Sequence, residues 1–401
     1  MSSGNERNDK VVVLQSIGAW LAHTMVWLYD QVTSLGPGIE NHVVCEQLVN
    51  LKTFDVPNIT SLSAKYPLRS KLDRTLRKAG LTAGLPIKRR VLRESGASLL
   101  HSHFGNYGWG DMEIAGAENA GHIVTFYGVD VNKMPQNDPR WFERYKELFR
   151  RADRFLCEGP HMASCLVAMG CPPEKVTVHH LGVRISEIRC ELRRYDATKP
   201  LRVLLCASFV EKKGLPYAIR ALGDAARDIP LTVTLIGGST GNPEHAPEND
   251  AIHAAIAESG LGDRLTMAGF QPYSKLIEAA YEHDVFLSPS VTAHDGDTEG
   301  GAPVTIAVMA AAGIPIVATT HCDIPEIVQH GKSALLAPER DAGALAAHLR
   351  WLVNNPDRWP EFGQASRDRM VREFDCEKQG LKLAQIYSDL DRSRRRKGRA
   401  Q

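Results

Sequence analysis

Apolar residues in this chain come in short unbroken runs, separated by longer stretches with a helical period. In the first half, residues 11–14, 42–48, 99–103, 123–126, 155–158 and 176–179 read as strands. A run without polar alternation suits a parallel strand covered on both faces. Residues 22–32, 141–151 and 160–169 read as helices, and 69–94 as a basic helical region split by Gly84 and Pro86. Residues 15–18 read as the first strand-to-helix turn and 52–70 as loop. Gly105, Gly108 and Gly110 read as an open loop. Residues 1–9 are polar and read as a frayed end.

A charged stretch without an apolar period, 184–200, reads as a linker. The pattern then restarts. Strands are expected at 202–206, 232–236, 265–267, 285–288 and 316–318, and helices at 250–258, 273–282, 304–312, 341–354, 356–374 and 377–391. This alternation predicts an α/β chain with two doubly wound parallel sheets. The expected domains are 1–190 and 191–375, followed by 376–401, a helix ending in a basic tail at 392–399.

The stretch 288–319 carries the densest chemistry. A strand end leads through a long loop to Thr298-Glu299-Gly300-Gly301-Ala302-Pro303, then to an apolar helix that Gly313 stops. Pro303 suits the first helical position. Gly300 and Gly301 let backbone N–H groups approach a ligand, beside a helix N-terminus that favours an anion such as a diphosphate. A carboxylate at Glu299 repels phosphate and suits neutral hydroxyls. The same residues also fit a plain turn with a capping carboxylate. Lys212 and Lys213 follow another strand end, and Gly237-Gly238 a third; no Walker loop is present, because no G-K-[ST] follows. His101 and His103 fall on one face of a strand. No third ligand stands nearby, so a zinc site is not expected. Asp295-Gly296-Asp297 reads as loop solvation.

Composition narrows the picture. The chain has 401 residues, ordinary apolar and charged fractions and a net charge of +1, which gives no reason to expect a nucleic-acid partner. Its eight cysteines include no C-x-x-C pair. With no signal peptide and no apolar run near 18 residues, a cytoplasmic location with reduced thiols is expected. The basic stretches 69–94 and 392–399 fit a solvated surface or attraction to an anionic membrane surface.

Six segments stand in a fixed order: H-S-H-F-G at 101–105, T-F-Y-G-V-D at 125–130, M-G-C-P-P-E-K-V at 169–176, F-V-E-K-K-G at 209–214, P-S-V-T-A-H-D-G-D-T-E-G at 289–300 and I-P-E-I-V at 324–328. Together they resemble family 4 glycosyltransferases, in the manner of the colanic-acid and exopolysaccharide transferases. The resemblance implies the GT-B fold, two Rossmann-like domains facing an inter-domain cleft, with the last helix crossing back to the first domain. It implies retaining, metal-independent transfer from a nucleotide-diphosphate sugar to a glycan or lipid-linked acceptor, with no cofactor. Glu299, Lys213, His103 and Asp130 are then the catalytic candidates. Gly18, Ser208, Gly238, Gly300, Gly301, Ala302 and Pro303 would line the donor, and His101 and Tyr127 the acceptor side.

The sequence departs from its relatives at three places. Tyr127 stands where many carry a sugar-contacting His. Ser208 stands where they carry a phosphate-binding Arg. Ala307 or Val308, depending on the end counted from, stands where they carry a ribose-clamping Glu. These losses motivate the alternative of a degenerate transferase that binds without turnover. A sugar-nucleotide epimerase is a further alternative. A nicotinamide dehydrogenase is disfavoured, because no G-x-G-x-x-G follows the first strand.

Overall fold

The computed structural model describes residues 10–399; residues 1–9, expected to fray, lie outside them. The chain divides into two compact units. One comprises the residues up to Gly182 together with those from Cys376, and the other is Val183–Asp375. The boundary expected at 190 therefore falls at 182–183. The reason is that the supposed linker is bonded into the second unit. Buried Arg193 donates to the carbonyls of His283 and Ala280, at 3.0 and 2.5 Å, and Arg367 donates to the carbonyl of Ile188 at 2.7 Å.

The first unit holds a seven-stranded parallel sheet in the order β3-β2-β1-β4-β5-β6-β7. Its strands are β1 (Val11–Trp20), β2 (Ile39–Leu48), β3 (Ile59–Ser61), β4 (Leu99–His103), β5 (Gly121–Thr125), β6 (Arg154–Cys157) and β7 (Val176–Val178). Its helices are α1 (Val26–Thr33), α2 (Leu62–Lys65), α3 (Pro67–Lys78), α4 (Lys88–Ser95), α5 (Gly105–Ala117), α6 (Lys133–Asn137), α7 (Arg140–Arg151) and α8 (Pro160–Ala168). Three expectations are corrected here. The strand expected to end at 14 runs on to Trp20, because its polar residues have internal partners: Gln15 bonds Asn41 and Tyr387, and Ser16 accepts from Lys88. Residues 52–70 include β3 and α2 rather than only loop. The glycines after β4 lie in α5, where they serve close packing. A Cβ at Gly108 would stand 2.6 Å from Val124 Cγ1.

The second unit repeats the plan with six parallel strands, β10-β9-β8-β11-β12-β13. They are β8 (Leu201–Cys206), β9 (Leu231–Ile236), β10 (Leu265–Gly269), β11 (Val285–Ser288), β12 (Ile316–Thr319) and β13 (Leu335–Ala337). The helices are α9 (Leu215–Ala225), α10 (Ala246–Glu258), α11 (Tyr273–Glu282), α12 (Val304–Ala312), α13 (Ile324–Ile327), α14 (Ala342–Asn354) and α15 (Trp359–Glu373). The unbroken apolar runs explain the layering. Val203, Leu205, Val285 and Leu287 enter one core with α9 and α14, while Leu204 and Phe286 enter the opposite core with α12. The chain ends in α16 (Cys376–Arg399), which packs on the first unit through Leu383 and Tyr387. The tail expected at 392–399 is helical, and Arg394 bonds Asp153 and Asn119. Among the described residues no helix is long and apolar enough to cross a membrane.

Candidate functional site

Both sheets begin in the middle and grow outward. Strand order therefore reverses between β1 and β4, and again between β8 and β11. Loops leaving the carboxyl ends of strands at such a point diverge and leave a crevice for ligands. In the second unit those loops are 207–214 after β8 and 289–303 after β11. They meet closely. Gly214 has φ +62°, and a Cβ there would lie 2.0 Å from the Pro289 carbonyl oxygen, so only glycine fits. The turn after β9 joins them, with the Gly238 carbonyl accepting from the Phe209 amide at 2.9 Å, next to half-buried Ser208.

This contact brings Lys213 and Glu299 together. Lys213 Nζ donates to Glu299 Oε2 at 2.8 Å, and Ser290 Oγ donates to Glu299 Oε1 at 2.9 Å. The Glu299 side chain is 6% exposed. Burial alone would raise its pKa, but Lys213 and then Lys212 outweigh burial and hold it below the ordinary carboxylate value. Lys212 itself ties the loop, bonding Asp297 Oδ1 at 3.2 Å and the Thr298 carbonyl at 3.0 Å. The first acidic candidate of the loop is thus a charged, oriented acceptor, with one cation beside it.

The sequence did not reveal what holds that carboxylate from behind. The Glu299 amide donates to His321 Nε2 at 3.1 Å, and His321 Nδ1 meets Glu339 Oε1 at 2.6 Å. A nitrogen that accepts carries no proton, so the His321 proton sits on Nδ1 and is donated to Glu339. His321 is fully buried. Thr319, at the carboxyl end of β12, donates to the Ser290 carbonyl at 2.5 Å. Position was the available signal: residues 319–321 follow a strand end beside the switch point.

Gly300 has φ +78°, and its amide is engaged by Thr298 Oγ1 at 3.1 Å. The Gly301 carbonyl accepts from the Asp323 amide at 3.0 Å. Ala302 and Pro303 are buried, and Pro303 is the N-cap of α12 rather than its first helical residue. The first amides of α12, those of Val304 and Thr305, have no intrahelical acceptor. Ala307 and Val308 lie in the apolar core at 2% and 1% exposure, and neither side chain can hydrogen-bond a ribose.

The first-unit candidates come together, but as an internal network. His103 is 1% exposed; Nδ1 meets the Tyr127 hydroxyl at 2.7 Å and Nε2 the Gln15 side-chain Oε1 at 3.0 Å. Burial lowers its pKa to about 3. His101 bonds Tyr387 and Thr125, and Tyr127 also bonds Gln31. Asp130 is fully buried and accepts from the amides of Gly105, Tyr127 and Gly128 at 2.7, 3.0 and 3.0 Å. Burial raises its pKa to about 6, against those three bonds. His103 and Asp130, expected as catalytic candidates, are instead buried links. Asp130 ties Gly105, at the start of α5, to the turn after β5. His103, at the end of β4, ties Tyr127 of that turn to Gln15 of β1. His101 and Tyr127, expected on the acceptor side, are buried in the same network. Gly18 lies within β1, not in a turn, and a Cβ there would stand 1.8 Å from the Tyr107 hydroxyl oxygen.

Two family models match this chain. Residues 37–187 match Glycosyltransferase Family 4, and residues 200–355 match Glycosyl transferases group 1. The chain belongs to the family 4 glycosyltransferases. Among curated relatives, this family member is 34% identical over 274 residues to the putative colanic acid biosynthesis glycosyltransferase WcaL of Salmonella typhimurium strain LT2. The match covers 67% of this chain and 65% of that protein, so the chain spans slightly less than two thirds of that relative's length. Solved structures give the fold, two Rossmann-like domains of the GT-B type. Sucrose-phosphate synthase from Thermosynechococcus elongatus superimposes with a TM-score of 0.76 at 18% identity, covering 96% of this chain and 100% of that one. Anabaena Alr3699/HepE in complex with UDP-glucose gives 0.72 at 15% identity, covering 94% and 99%.

Proposed function

We propose that this protein transfers a glycosyl group from a nucleoside-diphosphate sugar to a glycan or lipid-linked acceptor in exopolysaccharide biosynthesis, with retention at the anomeric carbon and without a metal. The observation that carries this reading is the Lys213–Glu299 pair at 2.8 Å, at the switch point of the second sheet and beside the N-terminus of α12. A donor would separate the pair's two functions. Its diphosphate takes the Lys213 ammonium and the first α12 amides, which stabilise charge as the C1–O bond to the leaving group breaks. The Glu299 carboxylate is then free for sugar hydroxyls. The acceptor oxygen forms the new bond to C1, and its proton passes to the leaving diphosphate. UDP-glucose in Alr3699/HepE makes it a reasonable first donor to test. Ser208, Gly238, Gly300 and Gly301, which lie in the strand-end loops that also carry Lys213 and Glu299 or in the turn bonded to them, are proposed donor contacts.

The lipid-linked form of the acceptor has support in α3. Leu68 is 86% exposed and Leu72, one turn on, is 48% exposed, beside exposed Lys71 and Lys78. Apolar and basic residues together favour an anionic membrane surface. Co-sedimentation with phosphatidylglycerol vesicles is expected, and Leu68→Glu with Leu72→Glu should abolish it; undiminished binding by the double variant removes this support.

The donor reading is tested by thermal shift with UDP, GDP, ADP, TDP and CDP, then by donor hydrolysis. One diphosphate should raise the melting point by about a few degrees when far above its Kd. Glu299→Gln should keep that shift and cut turnover by about a hundredfold or more. A second reading, binding without turnover, is favoured by the apolar burial of Ala307 and Val308. It predicts a thermal shift with no hydrolysis of any donor sugar.

A further inference from the structure

The first unit contains a cavity of about 560 Å³ that the donor reading does not use. It lies where α5 leaves the carboxyl end of β4, walled by that helix, by α7 and by the loop between α3 and α4. Its volume is in the range of small-ligand sites.

The wall combines aromatic faces with donors the protein leaves unused. Tyr107, Trp109 and Trp141 line it. The Arg144 guanidinium lies over both indoles, 4.7 Å from the Trp109 ring centre and 4.6 Å from that of Trp141. The carboxylate nearest to Arg144, that of Asp138, is 3.8 Å away and already accepts two bonds from Arg140. The Trp109 indole N–H is buried and has no acceptor among the described residues. A buried indole N–H ordinarily finds one.

The other cations of the wall are already committed. Lys88 is buried against Asp111 at 2.8 Å and Ser16 at 2.8 Å. Arg77 grips Glu46 with two bonds, at 2.7 and 3.2 Å. The groups left over are therefore donors, a guanidinium and an indole N–H, set on aromatic rings. Glu113 stands exposed at the rim. Aromatic faces suit the C–H face of a sugar ring. Unsatisfied donors suit a substituent that only accepts, such as a carboxylate or phosphate.

We propose that this cavity binds an acidic sugar unit of the acceptor, with its anionic group on Arg144 and the Trp109 N–H. The proposal rests on the glycosyl-transfer reading only in calling that sugar an acceptor. Binding itself is measurable without donor, so the two can fail separately.

Isothermal titration of the full chain with three probes tests it: cellobiouronic acid, glucose 1-phosphate and neutral cellobiose. At least one acidic probe should bind, with cellobiose weaker by about tenfold or more. The stronger acidic probe identifies carboxylate or phosphate as the group read. Arg144→Gln should weaken that probe by about tenfold while leaving the melting point and the nucleotide-induced shift as in the parent protein. Trp109→Phe keeps a ring, removes the N–H, and should weaken the same probe without affecting nucleotide. No binding by any probe, equal binding of cellobiose, or an Arg144→Gln variant that binds as the parent does would overturn the proposal. Binding of an acidic probe by a chain that responds to no nucleotide would uphold this site and remove the donor reading.

Discussion

Glu299 is charged because of its neighbours, not its solvent. Burial works against the carboxylate, and Lys213, Lys212 and the Lys213 hydrogen bond reverse that effect. Its pKa is lowered, so its contribution to stability is present above the ordinary value of 4.5 and is lost as pH falls below it. Lys213→Met tests this balance. It leaves a 6%-exposed carboxylate with only Ser290 as side-chain donor. A fully buried orphan of this kind costs about 3–5 kcal/mol; Lys213 is 23% exposed, so a loss of about 1–3 kcal/mol is expected. Urea unfolding of the second unit measures it. A variant as stable as the parent would mean that water or Lys212 replaces Lys213, and the pair would lose its standing as the organiser of the loop. The residues around it show what was legible at this scale. Glu299 and Lys213 were readable because each closes a motif after a strand. His321 and Glu339 were not, since neither falls in a motif and their link to Glu299 runs through a backbone amide that no side-chain pattern encodes.

At the scale of elements, α5 is the instructive case. Three glycines within six residues suggested an open loop, yet the segment is a helix. In an isolated helix each glycine costs about 1 kcal/mol against alanine. Here that cost is offset by close packing, with the helix backbone lying against Val124 and Phe126. Gly108→Ala should therefore destabilise the first unit by about 1–3 kcal/mol, as overpacking does, although alanine is the better helix former. Thermal or urea unfolding decides it: a stabilised variant would mean that Val124 yields freely and that close packing is not why glycine stands there. The same physics explains which elements were readable. β11, β12 and α12 announce themselves as nearly unbroken apolar runs, because they are covered on both sides. The second half of β1 did not, since Gln15, Ser16 and Gly18 are polar or small and owe their places to Tyr387, Lys88 and Tyr107, each distant in sequence.

At the scale of the whole molecule, the two units differ in how they respond to acid. The first unit buries four histidines held neutral. His103 is lowered to about 3, His122 and His179 to about 4, and His101 well below its ordinary value, all chiefly by burial. Unfolding lets each take a proton below pH 6.5. Their stabilising effect is complete above that value and is lost as pH falls toward the folded pKa, each at a rate of about 1.4 kcal/mol per pH unit. Asp130 opposes them. Its folded pKa is raised to about 6 from 3.8, so its contribution is present below 3.8 and is lost as pH rises through about 6. One carboxylate offsets one histidine between those values, and three remain uncompensated. In the second unit the shifts are closer to balance. Glu248 is raised to about 7 by burial, which favours the folded state in acid, against lowered His283 and His348. Moving from pH 7 to pH 5 should thus cost the first unit several kcal/mol and the second far less. Hydrogen exchange in graded urea, read by mass spectrometry peptide by peptide and corrected for intrinsic rates, resolves the units separately. Peptides of β4, β5 and α16 should lose protection before those of β8, β11 and α12. Equal losses in the two units would mean that the buried histidines already accept protons in the folded state, and that the network around His101 and His103 opens far more readily than its burial implies.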